Sequence, residues 1–422
     1  MAHLHRTPLP VPEAVERVMQ YKRKGGVERK HLHESGGRVL AEDVSATHAV
    51  PPFHKSPYDG FALCSADTKD LSRENPGTFR VIETVAAGHR ASRELRPGEA
   101  VRIMTGAEIP QGADCVAMFE ICTTGEDQTG HPVMTLKRRM DAWQNVIQKG
   151  SETEQGEVLV PEGSKINPGV RALLATFGYS EISVYKKPLV GVFATGTELL
   201  EVDEPMEPGK IRNSNASMIQ AQLERSGAAC TYLGKLDDDF DSCYEAVSSA
   251  LGDYDVLITT GGVSVGDYDL MPDIYEKLGA EVLFNKVAMR PGSVTTVAEH
   301  HGKVLYGLSG NPSACYVGYE LFAHPILQHF MGNTRPYHTR VQAVLGQDFK
   351  KANPFMRFVR GKLHYEEGKV VVYPAGMDKS AVVTSLAHTD VFIVLRGGTR
   401  GYSKGDMVEA VLLEDQTGQT QF

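Results

Sequence analysis

The spacing of apolar residues changes character along this chain, and each change predicts a different kind of element. In "VPEAVERVMQYKR" the residues Val11, Ala14, Val15, Val18 and Met19 recur three and four apart, which gathers them on one face of a helix with prolines at its start. From Val44 to about Gly150 the runs become short and β-like between turn signals, as in "TFRVIETVAAG", "EAVRIMTG", "ADCVAMFE" and "HPVMTLKRR". "INPGVRALLATFG" then reads as a short helix opened by a proline and closed by a glycine, with "EISVY" as the strand after it.

After Lys187-Pro188 the pattern alternates. Strand-like "LVGVFATG", "ACTYLGKL", "DVLITTGG" and "KVLYGLSG" are separated or followed by helix-like "SMIQAQLERSG", "CYEAVSSAL", "LMPDIYEKLG" and "SACYVGYELF". Strands alternating with helices predict a doubly wound parallel sheet with helices on both faces. Beyond Asn333 the helical spacing stops, and "TRVQAVLG", "FMRFVRGKLHY", "KVVVYPAG", "TDVFIVLRGG" and "DMVEAVLLE" predict a small closed or sandwiched β domain. The expected fold class is a multidomain α/β plus β chain.

Composition narrows the function. At 422 residues the chain exceeds one compact core and suggests roughly three domains. Hydrophobic residues at 41% and charged residues at 23% match ordinary globular usage, so disordered and fibrous classes are poor fits. A formal net charge of -9 argues against a non-specific nucleic-acid binder, whose electrostatic footprint would be basic. No apolar run approaches the about 20 residues that span a bilayer, and the N-terminus lacks the apolar stretch of a signal peptide. The expectation is a cytoplasmic protein with no membrane or nucleic-acid partner. Its six cysteines form no CxxC pair and read as reduced structural thiols.

Ligands of doubly wound sheets bind beyond the carboxyl ends of the strands, where the strand order reverses. Three loops meet that condition: "ATGTELLE" with Glu198, "TTGGVSVGDYD", and "LSGNPSA". In the second, Thr260, Gly261, Gly262, Ser264 and Gly266 offer backbone N–H groups and small side chains to an anion, and Asp267 and Asp269 offer carboxylates to a cation. In the third, Gly310, Asn311, Pro312 and Ser313 open a helix, Asn311 as cap and Pro312 in the first turn, so that free N–H groups would face a phosphate. The pattern is neither GxGxxG nor GxxxxGK[ST], which weakens nicotinamide and P-loop readings. Tight turns at strand ends would explain each loop singly; all three in one sheet favour an anion pocket.

Glu198, Asp238, Asp267 and Asp269 follow predicted strands, where hard oxygen ligands suit Mg²⁺ against a phosphate. For Asp238 in "KLDDDFD" a helix cap or solvated turn is the competing reading. Lys286 and Arg290 in "FNKVAMRPGSV" supply cations for an oxyanion, or are plain surface charges. Asp59 in "HKSPYDGFAL" reads as an acid buried within an apolar segment, with an Asx turn as the bland alternative.

Taken in order, "SPYDGFAL", "RIMTGAEIPQGADCV", "GVFATGTELLE", "IRNSNASMI", "TTGGVSVGDYD", "MRPGSV" and "LSGNPSACYVGYELF" closely resemble the MoeA family of molybdopterin molybdenumtransferases, which includes the E domain of gephyrin. The resemblance covers essentially the whole chain. It implies an elongated homodimer with sites between subunits and four domains: domain I from 1–45 and 150–187, domain II from 46–149, a MogA-like domain III from 188–332, and domain IV from 333–422. It also implies insertion of molybdenum from molybdate into adenylylated molybdopterin with Mg²⁺ and loss of AMP, the last step of molybdenum cofactor biosynthesis. Transient contacts with other proteins of that biosynthesis are expected. Adenylylation of molybdopterin, or a carrier or scaffold role, are the alternatives.

By the same resemblance, Asp59, Glu198, Asp238, Asp269, Lys286 and Arg290 match the family's catalytic positions, Arg290 standing where many members have lysine. Arg360 and Ser380 match residues associated with oxyanion binding, which groups Arg290, Arg360 and Ser380 as the molybdate set. Three segments depart from the pattern: "KGSE" around Glu152, "RPGSV" for KPGKP, and "GNPSA" for GNPVS.

Overall fold

The computed structural model describes residues 7–236, 239–262, 270–351 and 354–413. The chain divides into two compact units: one of Met1–Glu42, Glu162–Pro168 and Glu181–Phe422, the other of Asp43–Pro161 and Gly169–Ser180.

The second unit is built on a six-stranded sheet ordered Cys115–Met118, Gly60–Leu63, Glu99–Ile103, Gly77–Val85, Pro132–Leu136, Cys122–Glu126. The strand Gly60–Leu63 is buried at every position, so its residues pack on both faces: Phe61 and Leu63 join one apolar cluster and Ala62 another. Its period-two signal is absent for that reason, and the sequence pattern alone did not mark it. Gly60 is required by close approach, because a Cβ there would sit 2.2 Å from the Ala117 carbonyl oxygen of the neighbouring strand. Burial also pushes the Cys115 thiol up to about 12, and none of the six cysteines forms a disulfide.

In the first unit the N-terminal helix spans Val11–Met19 and buries Val11, Ala14, Val18 and Met19. It packs into the core beneath a second six-stranded sheet, ordered Ala229–Leu236, Leu189–Thr195, Val256–Thr260, Lys303–Leu308, Thr296–His300, Glu281–Phe284. The first four strands are parallel, as the alternation predicted. The last two run antiparallel, joined around the RPGSV turn, and the strand–helix alternation did not mark them. Alternate residues of the central strands enter opposite cores: Val190, Val192 and Ile258 on one face, Phe193 and Leu257 on the other. Apolar burial on both faces is what helices on both sides supply.

Helix Pro312–Gly318 passes through a π-helical turn, Tyr319–Ala323, into helix His324–Phe330. Glu320 lies in that turn at 2% exposure. Burial pushes its carboxyl up, but the His338 hydrogen bond (2.7 Å) and the Arg225 charge outweigh burial and hold it below the usual carboxylate range. His338 leads into the tail, so this pair ties the chain entering the tail to the α/β core.

The tail realises all five expected strands: Arg340–Leu345, Met356–Glu366, Lys369–Pro374, Val391–Leu395 and Met407–Leu412. Their pairings close on themselves through Met356–Glu366 with Val391–Leu395, which removes free edges and makes a small barrel. Met289–Arg290 adds to it in parallel, Arg290 opposite Arg357. No helix among the described residues is long and apolar enough to cross a membrane.

Candidate active site

Three loops at the carboxyl ends of parallel strands surround a cleft of about 1080 Å³. They are Gly196–Glu198 after Leu189–Thr195, Gly261–Gly262 after Val256–Thr260, and Ser309–Pro312 after Lys303–Leu308. Chain progress turns from one side of the Leu189–Thr195 strand to the other here, so the crevice falls at the reversal of strand order. Gly261 keeps the loops close: its φ is +94° and a Cβ would meet the Thr195 carbonyl at 2.6 Å.

Of the residues expected from sequence, Glu198, Thr260, Gly261, Gly262, Gly310, Asn311, Pro312 and Ser380 line this cleft. Ser264, Gly266, Asp267, Asp269 and Asp238 lie outside the described residues. The neighbouring Asp239 caps helix Phe240–Asp253 by accepting from Ser242 N–H at 2.9 Å, so part of the acidic run is a helix cap. Lys286, Arg290, Ser313 and Arg360 do not line the cleft.

The anion donors expected at Asn311 and at Gly261 are differently employed. Pro312 has no N–H, Ser313 N–H donates to the Ser380 carbonyl (3.0 Å), and Ala314 N–H donates to the Asn311 carbonyl (3.0 Å). The Asn311 side chain consequently makes no capping bond and is left on the cleft wall. Gly261 N–H is likewise committed, to the Leu308 carbonyl of the adjacent strand (2.8 Å). Ser313 is fully buried and spends its hydroxyl on the Val382 carbonyl (2.6 Å). It thereby fastens the barrel turn 376–383 to the cleft and brings Ser380 to its wall.

Arg360 works beneath the same turn. It is 2% exposed and donates Nε–H to Ser385 Oγ (2.8 Å) and Nη2–H to the Met377 carbonyl (2.9 Å). Among the described residues its Nη1, like Arg357 Nε, is buried without a partner. Burial lowers the Arg360 pKa, and Asp378, 3.9 Å away, counters it. Arg357 and Lys351 also reach Asp378, so one carboxylate faces three cations and the patch is electrically suited to a further anion.

Glu198 is exposed, and its carboxylate folds over Gly196, where a Cβ would lie 2.4 Å from Oε2. Among the described residues the Glu198 carboxylate has no hydrogen-bond partner, which leaves both its oxygens open to a hard cation. Asp59 belongs to the other unit and is exposed, contrary to the burial expected of it. It sits on the turn just before Gly60, outside the buried strand. The backbone N–H (2.7 Å) and hydroxyl (2.8 Å) of Thr105 both donate to its Oδ1 and hold its carboxyl below the usual range. Glu152 is exposed in the same unit.

Among the cleft residues to which the sequence assigned no role are Arg212 and Asn215 of "IRNSNASMI". The signal was present in that motif, but nothing local showed that the Leu199–Arg212 excursion folds back onto the strand ends.

Comparison with known proteins covers nearly the whole chain. Residues 9–178 match the model of the MoeA N-terminal region (domain I and II), 191–329 that of a probable molybdopterin binding domain, and 342–413 that of the MoeA C-terminal region (domain IV). A molybdopterin molybdenumtransferase of Bacillus subtilis is 54% identical over 413 residues, 98% of this chain and 96% of that one. One from Staphylococcus aureus is 45% identical over 416 residues, 99% and 98% of the two chains. Among solved structures, a molybdopterin biosynthesis MoeA protein of Pyrococcus horikoshii superimposes with a TM-score of 0.85 at 28% identity, covering 97% of this chain and 100% of that one. With three successive domain models in order and close relatives spanning it from end to end, the chain belongs to the MoeA family.

Proposed function

We propose that this protein is a molybdopterin molybdenumtransferase that takes adenylylated molybdopterin and molybdate and releases AMP as molybdenum enters the dithiolene. The observation that carries the reading is the pairing of a nucleotide-sized cleft with a buried, incompletely satisfied arginine, Arg360, under the turn that brings Ser380 to its wall. A tetrahedral oxyanion needs fixed donors at one side of a larger organic ligand. Arg360 and Ser380 would hold molybdate there, with Arg290 and Lys286 raising the local positive potential from the adjoining segment.

Mg²⁺ would bind on the Glu198 side, whose open carboxylate fits a hard cation, and Asp267 and Asp269 would complete its ligands; bound, it would neutralise charge on the phosphoanhydride. Thr260, Gly262, Gly310, Asn311 and Pro312 would shape the wall for the pterin and adenylate. Asp59, kept ionised by Thr105, would reach the site from the other subunit of the homodimer and orient or deprotonate a reacting group. A homodimer with sites shared between subunits, the division into four domains, and a cytoplasmic setting accompany this proposal.

The test is AMP release by the purified protein from adenylylated molybdopterin and Mg²⁺, with and without molybdate. Molybdate-dependent release that Asp269→Ala abolishes is expected. Binding without release in any condition would replace the transferase with a carrier.

A further inference from the structure

Arg212 and Glu198 are the charged side chains that line the cleft among the described residues, so Arg212 is its one cation there. Two main-chain acceptors fix it: Nε–H donates to the Val202 carbonyl and Nη2–H to the Glu204 carbonyl, both at 3.0 Å. It forms no ion pair with a described carboxylate, so its charge is uncommitted while its plane is held. Three N–H bonds of the guanidinium remain to meet a ligand.

The residues just after Arg212 build up the same edge of the cleft. Helix Ser214–Ser226 begins two residues later, and the Asn213 side chain caps Ala216 N–H at 3.2 Å, leaving the N–H groups of Ser214 and Asn215 at the helix start without acceptors among the described residues. Asn215 is 9% exposed and lines the cleft. Its Nδ2–H donates to the Gly310 carbonyl (2.8 Å), which fixes the amide, and its Oδ1 is buried with no partner among the described residues. An orphaned acceptor and an unpaired charge in the lining of one cleft call for a ligand that is anionic and also carries an N–H or O–H donor. A phosphate ester of a heterocyclic nucleoside or pterin has both; the molybdate dianion has no proton to give.

We propose that Arg212 binds the phosphate of the substrate, with the start of helix Ser214–Ser226 behind it and Asn215 Oδ1 accepting from a neighbouring hydroxyl or N–H of the same molecule. The inference rests on the transferase reading and assigns the cleft two anion positions: phosphate at Arg212, and oxyanion at the barrel turn. It also supplies a cation to a cleft in which the RPGSV turn contributes Gly292, Ser293 and Val294 and no lysine.

The experiment is calorimetric titration of the full-length protein with AMP, with adenosine and with molybdate, for wild type, Arg212→Gln and Arg212→Lys. Wild type should bind AMP about 10- to 100-fold more tightly than adenosine. Arg212→Gln should lower AMP affinity to that of adenosine and leave adenosine and molybdate affinities unchanged; Arg212→Lys should recover part. The proposal is overturned if wild type fails to prefer AMP, if Arg212→Gln binds AMP as wild type does, if it loses AMP and adenosine equally, or if molybdate is the ligand it loses. A wild type that releases AMP with molybdate while Arg212→Gln keeps its KM for adenylylated molybdopterin sinks this inference alone. Arg212-dependent AMP binding in a wild type that never releases AMP sinks the transferase reading and leaves the phosphate site standing.

Discussion

Replacing Glu320 by glutamine should destabilise the first unit by about 2–3 kcal/mol at neutral pH. The substitution keeps the shape and removes the charge. Glu320 Oε1 accepts from Arg225 Nη2 and from Gln222 Nε2 (2.6 Å), and Oε2 faces His338 Nε2 (2.7 Å). Breaking a buried ion pair by removing one partner costs about 3–5 kcal/mol, because the other charge stays buried. The Arg225 side chain is 23% exposed and His338 13% exposed, so water recovers part of that loss. A glutamine can also keep one acceptor toward Arg225 and turn its amide toward His338.

The assay is urea unfolding followed by circular dichroism, with hydrogen exchange over residues 331–340 to locate the change. Since the folded carboxyl lies below its unfolded value of about 4.3, its contribution is fully present above that pH and is lost as pH falls through the lower, folded pKa. The wild-type advantage over Glu320→Gln should be constant at neutral pH and vanish in acid. A variant within about 0.5 kcal/mol of wild type at pH 7 would refute the reasoning, because surface substitutions alone produce changes that small. A double variant with Arg225→Met should recover part of the loss, as an apolar replacement for both charges is close to neutral.

Three further outcomes are expected. Gly60→Ala places a Cβ 2.2 Å from a main-chain oxygen of the adjacent strand, and should cost about 3 kcal/mol in the second unit; Trp143, the single tryptophan, reports it by fluorescence. His324, lowered to about 3 chiefly by burial, is neutral in the folded protein, so stability should fall as pH drops below about 6.5, by up to about 1.4 kcal/mol per unit, while His324→Asn flattens that slope in urea titrations at stepped pH. Ser313→Ala removes the bond to the Val382 carbonyl; it should cost about 1 kcal/mol and raise the molybdate KM in the AMP-release assay with little change in affinity for AMP.

Local pattern carried much of this protein. The face Val11, Ala14, Val18, Met19, the alternation of strands and helices after Lys187, and the five strands of the tail were set by spacing and turn residues, because each element buries a face of its own and punctuates itself with glycine or proline. The same rules placed Glu198, Thr260 and Asn311 beside one cleft, since a doubly wound sheet leaves its strand-end loops together. The partners those loops take were not legible. Ser313 meets Val382 across 69 residues and Asn215 meets Gly310 across 95, and no local signal says that the Ser313 N–H and hydroxyl are consumed while Arg212 spends its bonds on two main-chain carbonyls and forms no ion pair with a described carboxylate. Asp59 was misjudged for a related reason: the sequence shows an acid among apolar residues, but the strand begins one residue later, and only its neighbours decide which side chains face out. Sequence by itself determined which elements form and which loops converge, because those follow from short-range geometry. Tertiary structure decided which donors remain unspent at the cleft, because hydrogen-bond satisfaction is settled between segments distant in the chain.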